Sequence, residues 1–454
     1  MQHPAETHAS SDWDSEGTVT EKSLLFRVAL AAYIIMIAGT LLYPDTFTRT
    51  GLRVGPFRIS ALAVLFAIAA PPVFAYIWNR RAAMKPGFLD AALIMTVGYM
   101  AIRGIAAATN GNEIALDVAF AGYIMLAYYG AVVLGKGDSA ARTIIHAIAI
   151  LTVVISAYAI IEFLFNNNMI YGALTEEKVP IRSEEFHRSG STLAQPVALG
   201  IYLVMTIPLL VYSFVMSGNF SRRVFWGVAI VAALAALLVS FSKGSWLTAI
   251  IIGFMAFVYL LVERRKFKGI LRPVITLIAS SLLIFTLIVS ISYRNVAFNV
   301  FSPERRLESF GFRKHMWEKV PGEFGEHVLI GVGMWQGDDD LYRIAYAEEA
   351  SEGLEYGEGL IPIDNLYLTV LLEGGLVGIS LLAVTLFLIG RQALTIIRSG
   401  GTRATFTIPL AAGMVALLIN GATADTLMVW PVMVVFWLYA GLIRARAEDG
   451  QDNR

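Results

Sequence analysis

The chain has 454 residues, of which 57% are hydrophobic and only 15% charged, with a mean hydropathy of +0.65. Soluble chains carry about one quarter charged residues, so this composition excludes a soluble fold and implies a polytopic membrane protein. Cysteine is absent, which excludes disulfides and thiolate metal sites, and 35 basic residues against 35 acidic ones leave no excess for nucleic acid.

Residues 1–22 are polar and carry Asp12, Asp14, Glu16 and Glu21, the wrong chemistry for a basic leader, so they are expected to be a disordered cytoplasmic tail. Apolar runs long enough to cross a bilayer follow at 24–43, 58–79, 88–107, 113–134, 142–164, 194–216, 222–240, 245–263, 270–293, 364–389, 404–421 and 426–444. They are far longer than barrel strands, and a spanning backbone must satisfy its own hydrogen bonds, so each is expected to be a helix. The expected fold is an all-α integral membrane protein of about 12 transmembrane helices, its membrane domain running from 23 to 446 with a cytoplasmic tail at 447–454.

With alternating spans, 20 of the 35 Lys and Arg fall on the face that holds both termini, which makes that face cytoplasmic. The other face receives two long loops, 165–193 and 294–363. The second, a large extracytoplasmic loop between helices 9 and 10, is too long for an idle connection. Leu307, Phe310, Trp317 and Val320 recur within it at helical spacing and predict an amphipathic helix on the membrane surface.

Four groups could carry chemistry. The first is Phe186-His187-Arg188-Ser189-Gly190-Ser191-Thr192-Leu193-Ala194-Gln195-Pro196. A basic side chain beside glycine and hydroxyls suits an anion, or is an ordinary interfacial anchor. The second is Ser240-Phe241-Ser242-Lys243-Gly244-Ser245-Trp246, whose lysine lines a wet cavity or snorkels from a tight hairpin. In the third, Arg306 and Arg313 stand seven residues apart and share a helix face, a spacing that can chelate a diphosphate or attract anionic lipid. The fourth is Pro362-Ile363-Asp364-Asn365-Leu366-Tyr367, followed by Glu373-Gly374-Gly375-Leu376-Val377-Gly378. Its glycines permit close helix approach, and Asp364 is either a functional acid or a helix N-cap. Asp338-Asp339-Asp340 reads as an acidic turn, and Gly331-Val332-Gly333 misses the dinucleotide fingerprint. His315 and His327 lack further ligands at convincing spacing, so no metal site is expected.

Together the four groups resemble the O-antigen ligase and O-antigen polymerase superfamily of membrane glycosyltransferases. Arg188-Ser189-Gly190-Ser191-Thr192 with Gln195-Pro196 matches its Arg-x-Gly-Thr stretch and Asn/Gln-Pro pair. Ser242-Lys243-Gly244 matches its Ser-Arg-Gly hairpin with lysine for arginine. Arg313, Trp317 and Gly331-Val332-Gly333 match its Arg, Trp and Gly-x-Gly series without the usual proline. Asp364-Asn365-Leu366-Tyr367-Leu368 and Glu373 to Gly378 match His-Asn-x-x-Leu and Glu-x-Gly-x-x-Gly. The resemblance covers about 186–389 and departs at Asp364, where ligases carry histidine.

What the resemblance implies is transfer or polymerisation of an undecaprenyl-diphosphate-linked glycan at the periplasmic face of a bacterial inner membrane, in O-antigen or exopolysaccharide synthesis. The missing histidine favours polymerase over ligase. Arg313 and Arg188 would stabilise the leaving diphosphate and Asp364 would act as base. Arg306, Lys243, Asn365, Trp317 and Glu373 would contact substrate, and no metal or other cofactor is called for. The partners implied are the lipid-linked donor, a glycan or lipid A core acceptor, membrane lipids and other polysaccharide export proteins. Two readings from other classes stay open, a secondary transporter and a non-catalytic envelope scaffold, although half-to-half similarity and mid-membrane acidic relays are missing from the sequence.

Overall fold

The computed structural model describes residues 23–42, 52–54, 57–59, 61–81, 86–108, 111–165, 167–169, 188–262, 317–318, 327–334 and 364–449. Among these stand eleven long helices. They are α1 (Leu24–Leu42), α2 (Ala61–Arg80), α3 (Phe88–Ala107), α4 (Gly111–Leu134), α5 (Asp138–Phe165) and α6 (Pro196–Val215), then α7 (Phe220–Val239), α8 (Lys243–Val262), α9 (Leu366–Ser399), α10 (Gly401–Asn420) and α11 (Trp430–Asp449). Eight of them contain a stretch long and apolar enough to cross a membrane, and the protein is a multi-pass membrane protein. The predicted ninth span, the N-terminal tail and residues 450–454 lie outside the described residues, whereas 447–449 of the predicted C-terminal tail continue α11.

Two departures from the expected layout have local causes. A small antiparallel hairpin, β1 (Leu52–Val54) paired with β2 (Phe57–Ile59), stands before α2, so the helix begins at Ala61 rather than at residue 58. Gly55-Pro56, between the two strand segments in sequence, is a pair that favours turns. Helix α9 runs ten residues beyond the predicted end, to Ser399, before Gly400 and Gly401 take positive φ and reverse the chain into α10.

The bundle is built around its last helix. From Val432 to Arg446 every residue of α11 is buried, which suits a segment that is apolar all round rather than on one stripe. Helices α4, α9, α10, α1 and α6 pack against it, and the others form an outer layer: α2 on α1 and α4, α3 on α9 and α4, α5 and α7 on α6, and α8 on α10. Inter-helix hydrogen bonds fix the register where the apolar contacts alone would let helices slide: Thr96 pairs with Thr385 at 2.9 Å between α3 and α9, and Thr152 with Tyr202 at 2.8 Å between α5 and α6.

At the end of the bundle where α11 finishes, its charges are buried and paired. The Arg444 guanidinium, in a residue only 5% exposed, lies 3.2 Å from Asp90 on α3 and 3.0 Å from Glu448 one turn on. Asp90 also accepts from the Tyr128 hydroxyl and from the Gly87 amide, capping α3 at its start, while Lys136 reaches Glu448 at 2.8 Å. Arg446 pairs with Asp138 at the head of α5 and stacks over the Phe406 ring. Four helices thus meet on one ionic cluster.

Removing Arg444 would strip the buried Asp90 of its guanidinium and leave Glu448 to Lys136. Arg444→Ala is expected to lower stability by about 3–5 kcal/mol, read as a lower melting temperature of the detergent-solubilised protein. Arg142→Ala, an exposed change on α5, should leave it within about 0.5 kcal/mol.

Candidate active site

All the predicted site residues that the structure describes outside the long loop, except Glu373, gather at the opposite end of the bundle. The Arg188 segment docks on the C-terminus of α7. Ser189 N donates to Val239 O at 3.2 Å, and the Arg188 guanidinium donates to the carbonyls of Ser240 and Phe241, both at 3.3 Å. A cation over the unsatisfied carbonyls of a helix end is favourable for the helix as well as for the arginine.

Phe241 to Lys243 then turn tightly from α7 into α8. Lys243 is exposed at the first position of α8, while Ser242 and Ser245 are buried and hydrogen-bonded to each other at 2.9 Å. Asn420, at the end of α10, donates to Ser245 at 2.9 Å. A side chain at Gly244 would meet the Thr423 hydroxyl at 2.2 Å. The glycine of the Ser-Lys-Gly triplet is therefore required by the close approach of α10 and the turn that follows it.

That turn leads to the mouth of α9. Leu366 N donates to Gly421 O at 2.8 Å, and the Asn365 side-chain amide donates to Ala422 O at 3.3 Å. The Asn365 side-chain oxygen accepts from the amides of Tyr367 and Leu368 at 3.1 and 3.2 Å. Asn365 is thus the N-cap of α9, and the helix-cap alternative for Asp364 does not hold. Asp364 precedes the helix, half-buried, with φ of 50°.

A carboxylate that sequence reasoning missed stands beside it. Asp425, in the turn between α10 and α11, accepts from Asn365 N at 3.1 Å and from the Thr369 hydroxyl at 2.6 Å. A continuous path of hydrogen bonds and close contacts therefore runs from Arg188 through the α7–α8 turn and the α10–α11 turn to Asp364 and its neighbour. The described non-glycine residues with positive φ are Ser191, Ala194, Phe241 and Asp364; Phe241 and Asp364 lie on this path, and Ser191 and Ala194 follow Arg188 in its own segment. Such conformations cost about 1–3 kcal/mol each and persist where surrounding contacts over-determine them.

Glu373 belongs to a second arrangement. The α9 backbone breaks at Gly375, with φ of 63° and ψ of −166°, which leaves unpaired groups on both sides of the break. Residues 327–334 fill it. Val332 N and Gly333 N donate to Leu372 O and Glu373 O, both at 3.0 Å, and Leu376 N and Val377 N donate to Val328 O and Leu329 O at 2.9 and 3.1 Å. A side chain at Gly331, whose φ is 70°, would lie 2.2 Å from Glu373 O. From α3, Arg103 donates to Gly331 O at 2.7 Å, and the Tyr99 hydroxyl shares its proton between Ile330 O and Gly374 O. Gly-x-Gly and Glu-x-Gly-x-x-Gly are therefore two halves of one backbone clasp, and buried Glu373 sits in it.

Trp317 is half-buried and helical; Arg306 and Arg313 lie outside the described residues. The missed residues Arg103 and Asp425 share one legible signal, an ionisable residue in or beside an apolar span.

Residues 228–383 match the model of the O-antigen ligase family, from within α7 to within α9. That stretch, about a third of the chain, is similar to the O-antigen ligase family. The matched stretch includes Lys243, Arg306, Arg313, Trp317, Asp364, Asn365 and Glu373, whereas Arg188 and Asp425 flank it. No curated protein matches the chain. The match to the O-antigen ligase family in a multi-pass membrane protein supports a glycosyltransferase-like role in polysaccharide biosynthesis.

The clasp yields a direct test. Gly331→Ala forces a methyl group into the α9 backbone at a positive φ and should cost more than about 2 kcal/mol. Gly390→Ala, in the same helix with open space around it, should be neutral or stabilising by up to about 1 kcal/mol. Thermal unfolding of the two variants in detergent separates them.

Proposed function

We propose that this ligase-family domain transfers or polymerises an undecaprenyl-diphosphate-linked glycan at the periplasmic face of a bacterial inner membrane, with both chain termini cytoplasmic. The observation that supports it best is the bonded path joining Arg188, the Lys243 turn and the mouth of α9 at one end of the bundle. Anion-binding groups and a carboxylate on one membrane-surface frame are what the reaction needs.

In this reading an acceptor sugar hydroxyl attacks the anomeric carbon of the donor. The new glycosidic bond forms as the bond from that carbon to the phosphate oxygen breaks, and the electron pair leaves with undecaprenyl diphosphate. Arg188 and Arg313, helped by Lys243 and Arg306, carry the charge that grows on the diphosphate, a task guanidinium groups can perform without a metal. Asp364 takes the hydroxyl proton. Asp425 holds the first turn of α9 and so the chain on which Asp364 is carried. Asn365 is engaged as the helix cap, and its contribution to substrate is through the position of Asp364. Aspartate in place of histidine favours chain polymerisation over ligation to a lipid A core.

The test is reconstituted protein supplied with its native lipid-diphosphate oligosaccharide, following glycan length and release of the lipid diphosphate. Arg313→Ala and Arg188→Ala should each lower the rate about 10²- to 10³-fold, and Asp364→Asn about 10²- to 10⁴-fold. Glycan moved only to a lipid A core would make the protein a ligase. Folded wild-type protein that neither extends nor transfers the native glycan would overturn the enzyme reading and leave transport in its place.

A further inference from the structure

Glu162 lies near the end of α5, is only 1% exposed, and has no place in the chemistry above. Four donors from two loop segments converge on its carboxylate. Oε2 accepts from the Ser189 hydroxyl at 2.7 Å and from Ser191 N at 2.6 Å, while Oε1 accepts from Asn168 at 3.1 Å and from Gly190 N at 3.4 Å. Asn168 is itself held by the Tyr158 hydroxyl at 2.8 Å.

Two consequences follow for the Arg188 loop. Its glycine and hydroxyl residues resemble a phosphate cradle, in which successive backbone amides point at an anion. Here two of those amides, with the Ser189 hydroxyl, are spent on a carboxylate whose charge would repel a phosphate, so the loop offers an anion its side chain at Arg188 rather than its backbone. The Arg188 guanidinium donates to two carbonyls at 3.3 Å, and the segment one to three residues on is gripped by charge-assisted bonds to Glu162, at 2.7 Å through the Ser189 hydroxyl and at 2.6 Å through the Ser191 amide. Those grips frame the left-handed Ser191, whose hydroxyl is tied to Ile155 O at 2.7 Å; Thr192 is tied to Leu41 O at 2.7 Å. Burying a carboxylate is costly unless it is fully bonded, and a neutral side chain would make a less expensive tether.

We infer that Glu162 is a positioning residue that holds the Ser189–Ser191 backbone, and through it the Arg188 guanidinium, in place for an anionic leaving group. This rests on the glycosyltransferase reading, and two readouts keep the two apart. The first is steady-state kinetics of Glu162→Gln and Ser189→Ala, normalised to folded protein. Misplacing a group by about 1 Å can cost about 10²-fold. Glu162→Gln should therefore lower kcat about 10- to 100-fold and raise the donor KM with the acceptor KM unmoved, and Ser189→Ala should show the same pattern more weakly. The second is a spin label at Gln195→Cys, an exposed position in a chain without native cysteine, which should become more mobile when Glu162→Gln is added.

Faster label motion together with the split in kinetic constants supports the inference. Unchanged kinetics in folded Glu162→Gln overturns it, whatever the label does. A lower melting temperature with unchanged kcat and donor KM also overturns it, since that is what a merely structural carboxylate would give. Should wild-type protein transfer nothing, the glycosyltransferase reading falls, and the label alone decides whether Glu162 holds the loop: an unmoved label overturns the inference and a freed one supports it. If Glu162→Gln fails to fold, Ser189→Ala, which keeps the buried carboxylate, carries the same comparison.

Discussion

Inside a membrane no backbone or charged group can turn to water for a partner, and that constraint governs both ends of this bundle. It is sharpest at the break in α9. Four backbone groups freed by the turn at Gly375 are met by four groups of the segment 328–333, brought down beside α3 and pinned by Tyr99 and Arg103. Without that segment the break would leave several unsatisfied groups at membrane depth, each costing a few kcal/mol. A continuous helix would avoid the cost. The break instead ties the middle of the long loop to the helix whose mouth carries Asp364.

The same economy appears at the other end, where Asp90, Arg444, Glu448 and Lys136 satisfy one another around the last turn of α11. Apolar packing gives little help in choosing how far a helix that is greasy on every side slides along its neighbours. Buried polar groups that pair in one register do choose. The ionic cluster sets the depth of α11, and the turn before it carries Asp425 to the site. Charges far from the chemistry thereby bear on its geometry.

The site itself is a set of turns rather than a set of helices. Arg188, Phe241, Asp364 and Asp425 all lie between or just outside helices, where backbone conformations unavailable to a helix are open. Two of the positive-φ residues, Phe241 and Asp364, lie in those turns, which is where a rigid scaffold can hold strain.

Helix content and the order of the apolar segments were legible in the sequence because apolar run length decides them almost alone: eleven of the twelve expected runs overlap helices in the structure, α2 and α11 beginning three and four residues later and α9 ending ten residues further on, and the remaining one falls outside the described residues. The motif residues could likewise be picked out, since glycine, basic and acidic residues are conspicuous in apolar surroundings. What the sequence by itself determined was therefore which segments form long apolar helices and which polar residues must be accounted for. Tertiary structure alone decided their partners. Asn365 rather than Asp364 caps α9 because the choice depends on backbone φ at each, and Gly331 matters through Glu373, a contact 42 residues distant that no local pattern encodes. Glu162 and Asp425 acquire meaning only when α5 is set beside the Arg188 loop and α10 beside α9, because a buried carboxylate is defined by the donors that packing brings to it.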